Sequence, residues 1–197
     1  MRFSAADTRE QILEAANQLF GSEGLAAISM DRIAARAGVT KKTVYYHFRS
    51  KDDLLGAFLE SRHEPVMERY RRWAGTTGTV AERMQRMFGR LGEACVERDW
   101  RGCGFLRIAC ELADMPGHPA CVAARRYKAS FEQWIRSMLE SEGRPDPAML
   151  ARTLMVLLDG TIVQVLIHRD RSYVEAAARA ARDLLSFASP PRLTRAA

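Results

Sequence analysis

The chain holds no alternating apolar–polar run long enough for a useful β-strand, no repeat of fixed period and no apolar run that reaches the length of a membrane span. The first absence excludes a sheet-built fold. The third argues against a membrane partner. The opening MRFSAADTREQ lacks the apolar core of a signal peptide, so a cytoplasmic protein is expected. Cysteine is sparse, and Cys95, Cys103, Cys110 and Cys121 are then expected as reduced thiols. No two of them form a C-x2-C pair, so neither a structural zinc site nor any other metal or cofactor is expected. No segment sets a nucleophile, a base and an orienting acid together, and no glycine loop cradles a phosphate. That argues against an enzyme and leaves no catalytic candidate.

What is present is ordinary globular composition with charge in an unusual place. The 197 residues are 47% hydrophobic and 27% charged, enough for one or two domains with a real core. A net charge of +6 permits nucleic-acid binding without requiring it. The clustering says more. From Arg32 to Lys51 there are six basic residues (Arg32, Arg36, Lys41, Lys42, Arg49, Lys51) and no acidic one. Lys41 and Lys42 fall in the first turn of a helix, where the dipole disfavours cations. An external polyanion would explain them.

Periodicity makes almost the whole chain helical. Asp7 to Glu23 places Ile12, Ala15, Ala16, Leu19 and Phe20 on one face, with Gly24 as its stop. Ser29 caps a second helix with Ile33, Ala34 and Ala37 inward, and Gly38 ends it as a left-handed residue. Thr40 caps a third, held by Val44 and Phe48. Ser50 caps a fourth, from Lys51 to about Trp73, with Leu54, Leu55, Phe58 and Leu59 inside and Pro65 as a potential kink. After a break at 74–79, helices are expected at about 79–98, 102–113, 119–142, 147–168 and 172–188. The fold class is therefore all-α, about nine helices: a three-helix head (1–50), a connecting fourth helix with a larger helical body (51–189), and a disordered tail (190–197).

The small residues Ala34 and Gly38 let two helices meet steeply through a short turn, a helix-turn-helix. At about 100° per residue, Phe48 lies beside Val44 while Lys42 and Tyr46 lie opposite, with Thr43 and Tyr45 on the flanks. Such a face suits the major groove of double-stranded DNA: lysine reads guanine edges, and hydroxyls such as those of Thr40 and Thr43 bind phosphates. The capped start of the fourth helix, with Lys51, is a further phosphate site.

The motifs Ile12-Leu-Glu-Ala-Ala with Leu19-Phe20, Ser29-Met-Asp-Arg-Ile-Ala with Ala37-Gly38-Val39, Thr43-Val-Tyr-Tyr-His-Phe48 and Ser50-Lys51-Asp-Asp-Leu-Leu55 closely resemble the DNA-binding domain of the TetR family of one-component transcriptional regulators. The resemblance implies a homodimer on a palindromic operator, with a ligand-binding body that sets the spacing of two heads. It also implies roles: Lys41, Lys42 and Tyr46 reach bases, while Ser29, Thr43, Tyr45, His47 and Lys51 hold phosphates. The family motif often has glycine where Lys42 stands.

The body matches more loosely. Arg101-Gly-Cys-Gly-Phe-Leu-Arg-Ile-Ala-Cys-Glu-Leu-Ala-Asp with His118-Pro119 resembles the family's sixth-helix region, which lines the effector pocket. Cys103, Phe105, Leu106, Ile108 and Cys110 could line it, with Met84, Phe88, Trp100, Phe131, Trp134 and Met138 as further wall or as plain bundle core. Glu111 would select a cationic or hydrogen-bonding effector if it faces the pocket, or pair with Arg107 one turn away. A largely apolar small-molecule effector is expected.

Leu154 to Ile167 is apolar on nearly every side and needs cover on two faces. One cover is the body's own core; a partner subunit is the other. This puts the dimer interface on about 148–188, with Leu157, Gly160, Val165, Ala177, Ala181 and Leu184 as candidates. A competing reading keeps the DNA-binding head but makes the body a thiol or electrophile sensor through Cys103 and Cys110, seven residues apart on one helix face.

Overall fold

The structure is a computed structural model that describes residues 4–23 and 28–187. Among these there are nine helices and no strand: α1 (Ala5–Glu23), α2 (Met30–Ala37), α3 (Lys41–His47), α4 (Lys51–Ala74), α5 (Val80–Ala94), α6 (Gly104–Glu111), α7 (Pro119–Ser141), α8 (Pro147–His168) and α9 (Ser172–Phe187). The all-α expectation holds. The expected stop at Gly24 and the tail at 190–197 lie outside the described residues.

The helix starts follow the capping signals. The Ser29 side chain accepts the Arg32 amide, and the Thr40 side chain accepts the Thr43 amide. Ser50 Oγ accepts the Asp53 amide while Asp53 accepts the Arg49 amide, which fixes the start of α4. Thr79 and Glu82 form a reciprocal capping box on α5. Gly38 is left-handed (φ 66°), and the Val39 and Gly38 amides close back onto the Ala34 and Ala35 carbonyls. α4 continues through Pro65.

Packing divides the chain into two units that cut across chain order: Met1–Pro65 with Cys103–Tyr127, and Val66–Gly102 with Lys128–Ala197. In the first, Ile12, Ile33, Val44, Phe48, Leu54 and Leu59 are almost fully buried and form the core of the head. Phe20 and Phe58 bring their rings to 5.2 Å. The Gln11 side chain donates to the Ala37 carbonyl at 2.7 Å, so α1 satisfies an orphan acceptor at the end of α2. Phe48 stands just past α3 with extended backbone, and the Arg9 guanidinium covers its ring at 5.1 Å. In the same unit Phe105 of α6 stacks on Tyr127 of α7 at 4.0 Å.

In the second unit α9 packs on both α5 and α8. Met84, Met87, Phe88, Phe131, Ile135 and Leu139 are buried in its core. Gly102 is required there: its φ is +74°, and an added Cβ would sit 2.6 Å from Leu166. Two ion pairs, Lys128–Asp159 and Arg152–Glu132, link α7 to α8. By length and composition alone α8 is apolar enough to cross a membrane, which corrects the expectation of no such stretch. In this fold 44% of its apolar window is buried, and core helices of helical domains meet the same criterion.

Candidate nucleic-acid interface

The two helices joined at Gly38 present a polar, basic surface. Lys41, Lys42, Tyr45 and Tyr46 are exposed, Tyr46 to 80%, while Val44 on the other side of α3 is fully buried. That split is what a groove-facing helix needs. Thr43 and His47 are half-buried on the flanks, and Ser29, Thr40 and Ser50 are exposed at three helix starts. The hydroxyl oxygens of Ser29 and Thr40 accept the Arg32 and Thr43 amides, so both residues cap the helices they precede. His47 meets the Tyr46 ring edge-on at 5.1 Å.

One contact on this face has no signature in the sequence. Lys41 Nζ lies 2.8 Å from the Asp31 carboxylate of α2. The hydrogen bond and the charge of Asp31 hold the Lys41 ammonium above its ordinary pKa. An internal carboxylate thus compensates one of the two first-turn lysines; it sits one residue outside the acid-free stretch. Lys42 has no such partner among the described residues.

Similarity to known proteins points the same way. Residues 12–58 match the family of bacterial regulatory proteins, tetR family, and residues 105–186 match the tetracyclin repressor-like C-terminal domain. A tetR-type transcriptional regulator of Streptomyces avermitilis has the same fold with a TM-score of 0.82 and 32% identity, covering 92% of this chain and 97% of that one. The chain belongs to the TetR family. SCO4454, a TetR-family transcriptional regulator from Streptomyces coelicolor, superposes with a TM-score of 0.81 at 25% identity, over 94% of this chain and 97% of its own. The HTH-type transcriptional regulator YjdC of Escherichia coli is 25% identical over 181 residues, 91% of this chain and 94% of its own length. The protein is a TetR-family DNA-binding transcriptional regulator, and its helix-turn-helix is α2–α3.

The residues expected around an effector fall into both units. Phe105 and Ile108 are buried in the first; Leu106 and Cys103 are half-buried there, and Cys110 and Glu111 are exposed. Met84, Phe88, Phe131 and Met138 are buried in the second, with Trp100 and Trp134 half-buried. Cys103 is the extended residue before α6, with no side-chain cap bond.

The candidates for the dimer contact divide. Val165, Ala177 and Ala181 are buried within the protomer, in the core that α8 shares with α9. Leu157 and Leu184 are half-buried and Gly160 is exposed, with nothing within 4 Å of where a Cβ would be. The apolar side chains that α8 leaves exposed are others: Met149 (55%), Val156 (67%), Val163 (37%) and Ile167 (65%). They recur at seven, seven and four residues, one stripe along the helix. The unbroken apolar composition of α8 concealed which positions its own α9 would cover.

Proposed function

We propose that this regulator is a homodimeric repressor that binds a palindromic operator and leaves it when a small, largely apolar effector occupies the body. The observation that carries the reading is the exposed Lys42–Tyr46 face opposite a fully buried Val44. Lys42, Tyr46 and, once freed from Asp31, Lys41 read bases; Ser29, Thr40, Thr43, Tyr45, His47 and Lys51 bind phosphates. Residues 1–50 are the DNA-binding part and 51–189 the control and dimerisation part.

The stripe Met149, Val156, Val163 and Ile167, with Gly160 between, supports two-fold pairing through α8. An apolar stripe on a helix gains by burial, and the bare glycine permits close approach. A two-fold dimer sets two recognition helices one DNA turn apart, ~34 Å. The buried side chains Met84, Phe88, Phe131 and Met138 of α5 and α7, all in the second unit, support an apolar effector site. The protein works in the cytoplasm, needs no cofactor and carries out no catalysis.

Selecting duplexes from a randomised pool tests this. An inverted repeat is expected, bound by two protomers. A single asymmetric half-site bound by one protomer would overturn the dimeric reading.

A further inference from the structure

In the first unit the turn before α7 touches the first two turns of α4. His118, almost fully buried, ends that turn: its carbonyl accepts the Val122 amide, and its Nδ1 accepts the Ala120 amide at 3.1 Å. With Nδ1 occupied as an acceptor, the ring proton of the neutral imidazole is on Nε2. That Nε2 faces the Asp52 carboxylate of α4 at 3.3 Å. One helical turn further along the same face, Gly56 is buried against the next residue, Pro119. A Cβ on Gly56 would come within 2.6 Å of the Pro119 Cβ and 3.3 Å of its carbonyl carbon. Two consecutive residues thus meet α4 at two consecutive turns, which fixes both the distance and the rotation of its start. Lys51 is the first residue of α4.

We propose that His118 is a positioning residue for DNA binding: with Pro119 it grips α4 at Asp52 and Gly56 and so fixes where Lys51 meets the phosphate backbone. The inference rests on the phosphate role of Lys51 proposed above. A carboxylate in a DNA-facing turn opposes a polyanion. Asp52 stands in the first turn of α4, where the helix dipole favours a carboxylate, and there it meets His118.

The two imidazole nitrogens allow the roles of His118 to be separated. His118→Asn keeps an acceptor near the Nδ1 position, and so the α7 cap, but loses the reach to Asp52. His118→Gln restores a donor near the Nε2 position. The probe is a duplex that the wild-type protein selects from a randomised pool, with affinity measured across a salt series. Lys51→Ala should lower the slope of log K against log salt by about 0.9, one phosphate contact. His118→Asn should lower affinity by roughly ten-fold with the same change of slope, and should add nothing in the Lys51→Ala background. His118→Gln should recover most of the loss.

A folded His118→Asn protein with wild-type affinity and slope overturns the proposal. So does a full effect of His118→Asn in the Lys51→Ala background. Should His118→Asn fail to fold, Asp52→Ala decides: charge removal alone tightens DNA binding, whereas loss of the grip weakens it. An unchanged slope for Lys51→Ala removes the phosphate assignment itself. A lowered slope for Lys51→Ala beside an unchanged one for folded His118→Asn removes only the role of His118.

Discussion

The Lys41 ammonium of α3 and the Asp31 carboxylate of α2 meet at 2.8 Å on the exposed side of the helix-turn-helix. For the DNA contact proposed for Lys41, this pair is a competitor, because one ammonium cannot hold a carboxylate and a base or phosphate at full strength together. Asp31→Asn should therefore tighten binding to a random duplex by roughly three- to ten-fold and steepen its salt dependence. Fluorescence anisotropy at several salt concentrations reads both. Unchanged or weaker binding would mean that the pair braces the head and that Lys41 does not reach DNA.

Lys42 is the exposed cation of the α3 face without a partner among the described residues. Lys42→Ala should relax base preference at one operator position, costing roughly 1–3 kcal/mol there. Lys51→Ala should weaken selected and random duplexes alike. Equal losses on both kinds of DNA for both variants would remove Lys42 from base reading.

Gly38 isolates a backbone effect. Its φ is 66°, and an added Cβ would meet nothing within 4 Å. Gly38→Ala should thus cost only the strain of a left-handed alanine, roughly 1–2 kcal/mol, seen as a drop of a few degrees in Tm. A cost near zero would mean that the α2–α3 turn has another conformation in solution.

Val156 tests the dimer. It is 67% exposed on the protomer, so Val156→Glu should leave the fold and its Tm nearly unchanged. Burying that carboxylate against a second apolar stripe is costly. Sedimentation should show a monomer, with operator affinity reduced at least ten-fold by the loss of linked half-sites. A dimer that persists with full affinity would place the interface elsewhere.

The thiols should differ in reactivity. Burial pushes the Cys95 thiol above its ordinary pKa, opposed only in part by Arg171. Because the folded-state pKa is raised, the stability it contributes is full below the ordinary value of 9.0 and fades as pH rises through the raised one. At pH near 8, alkylation should reach exposed Cys110 first and buried Cys95 and Cys121 last. Operator release by electrophiles that survives Cys103→Ser with Cys110→Ser would dismiss the thiol-sensing alternative.

Helix positions, the head core and the exposed side of α3 are readable along the chain because each depends on neighbours within a turn or two. Ser29, Thr40 and Ser50 mark helix starts by their own side chains, and Val44 against Lys42 and Tyr46 is a matter of helical angle. Three things needed the folded chain. Asp31 finds Lys41 only once α2 and α3 cross. His118 meets Asp52 only once the start of α7 lies against α4. The stripe on α8 is defined by what α9 leaves uncovered, and Val165 and Val156 are alike in composition but opposite in burial. Side-chain periodicity tells which residues share a face, and packing alone decides what that face touches.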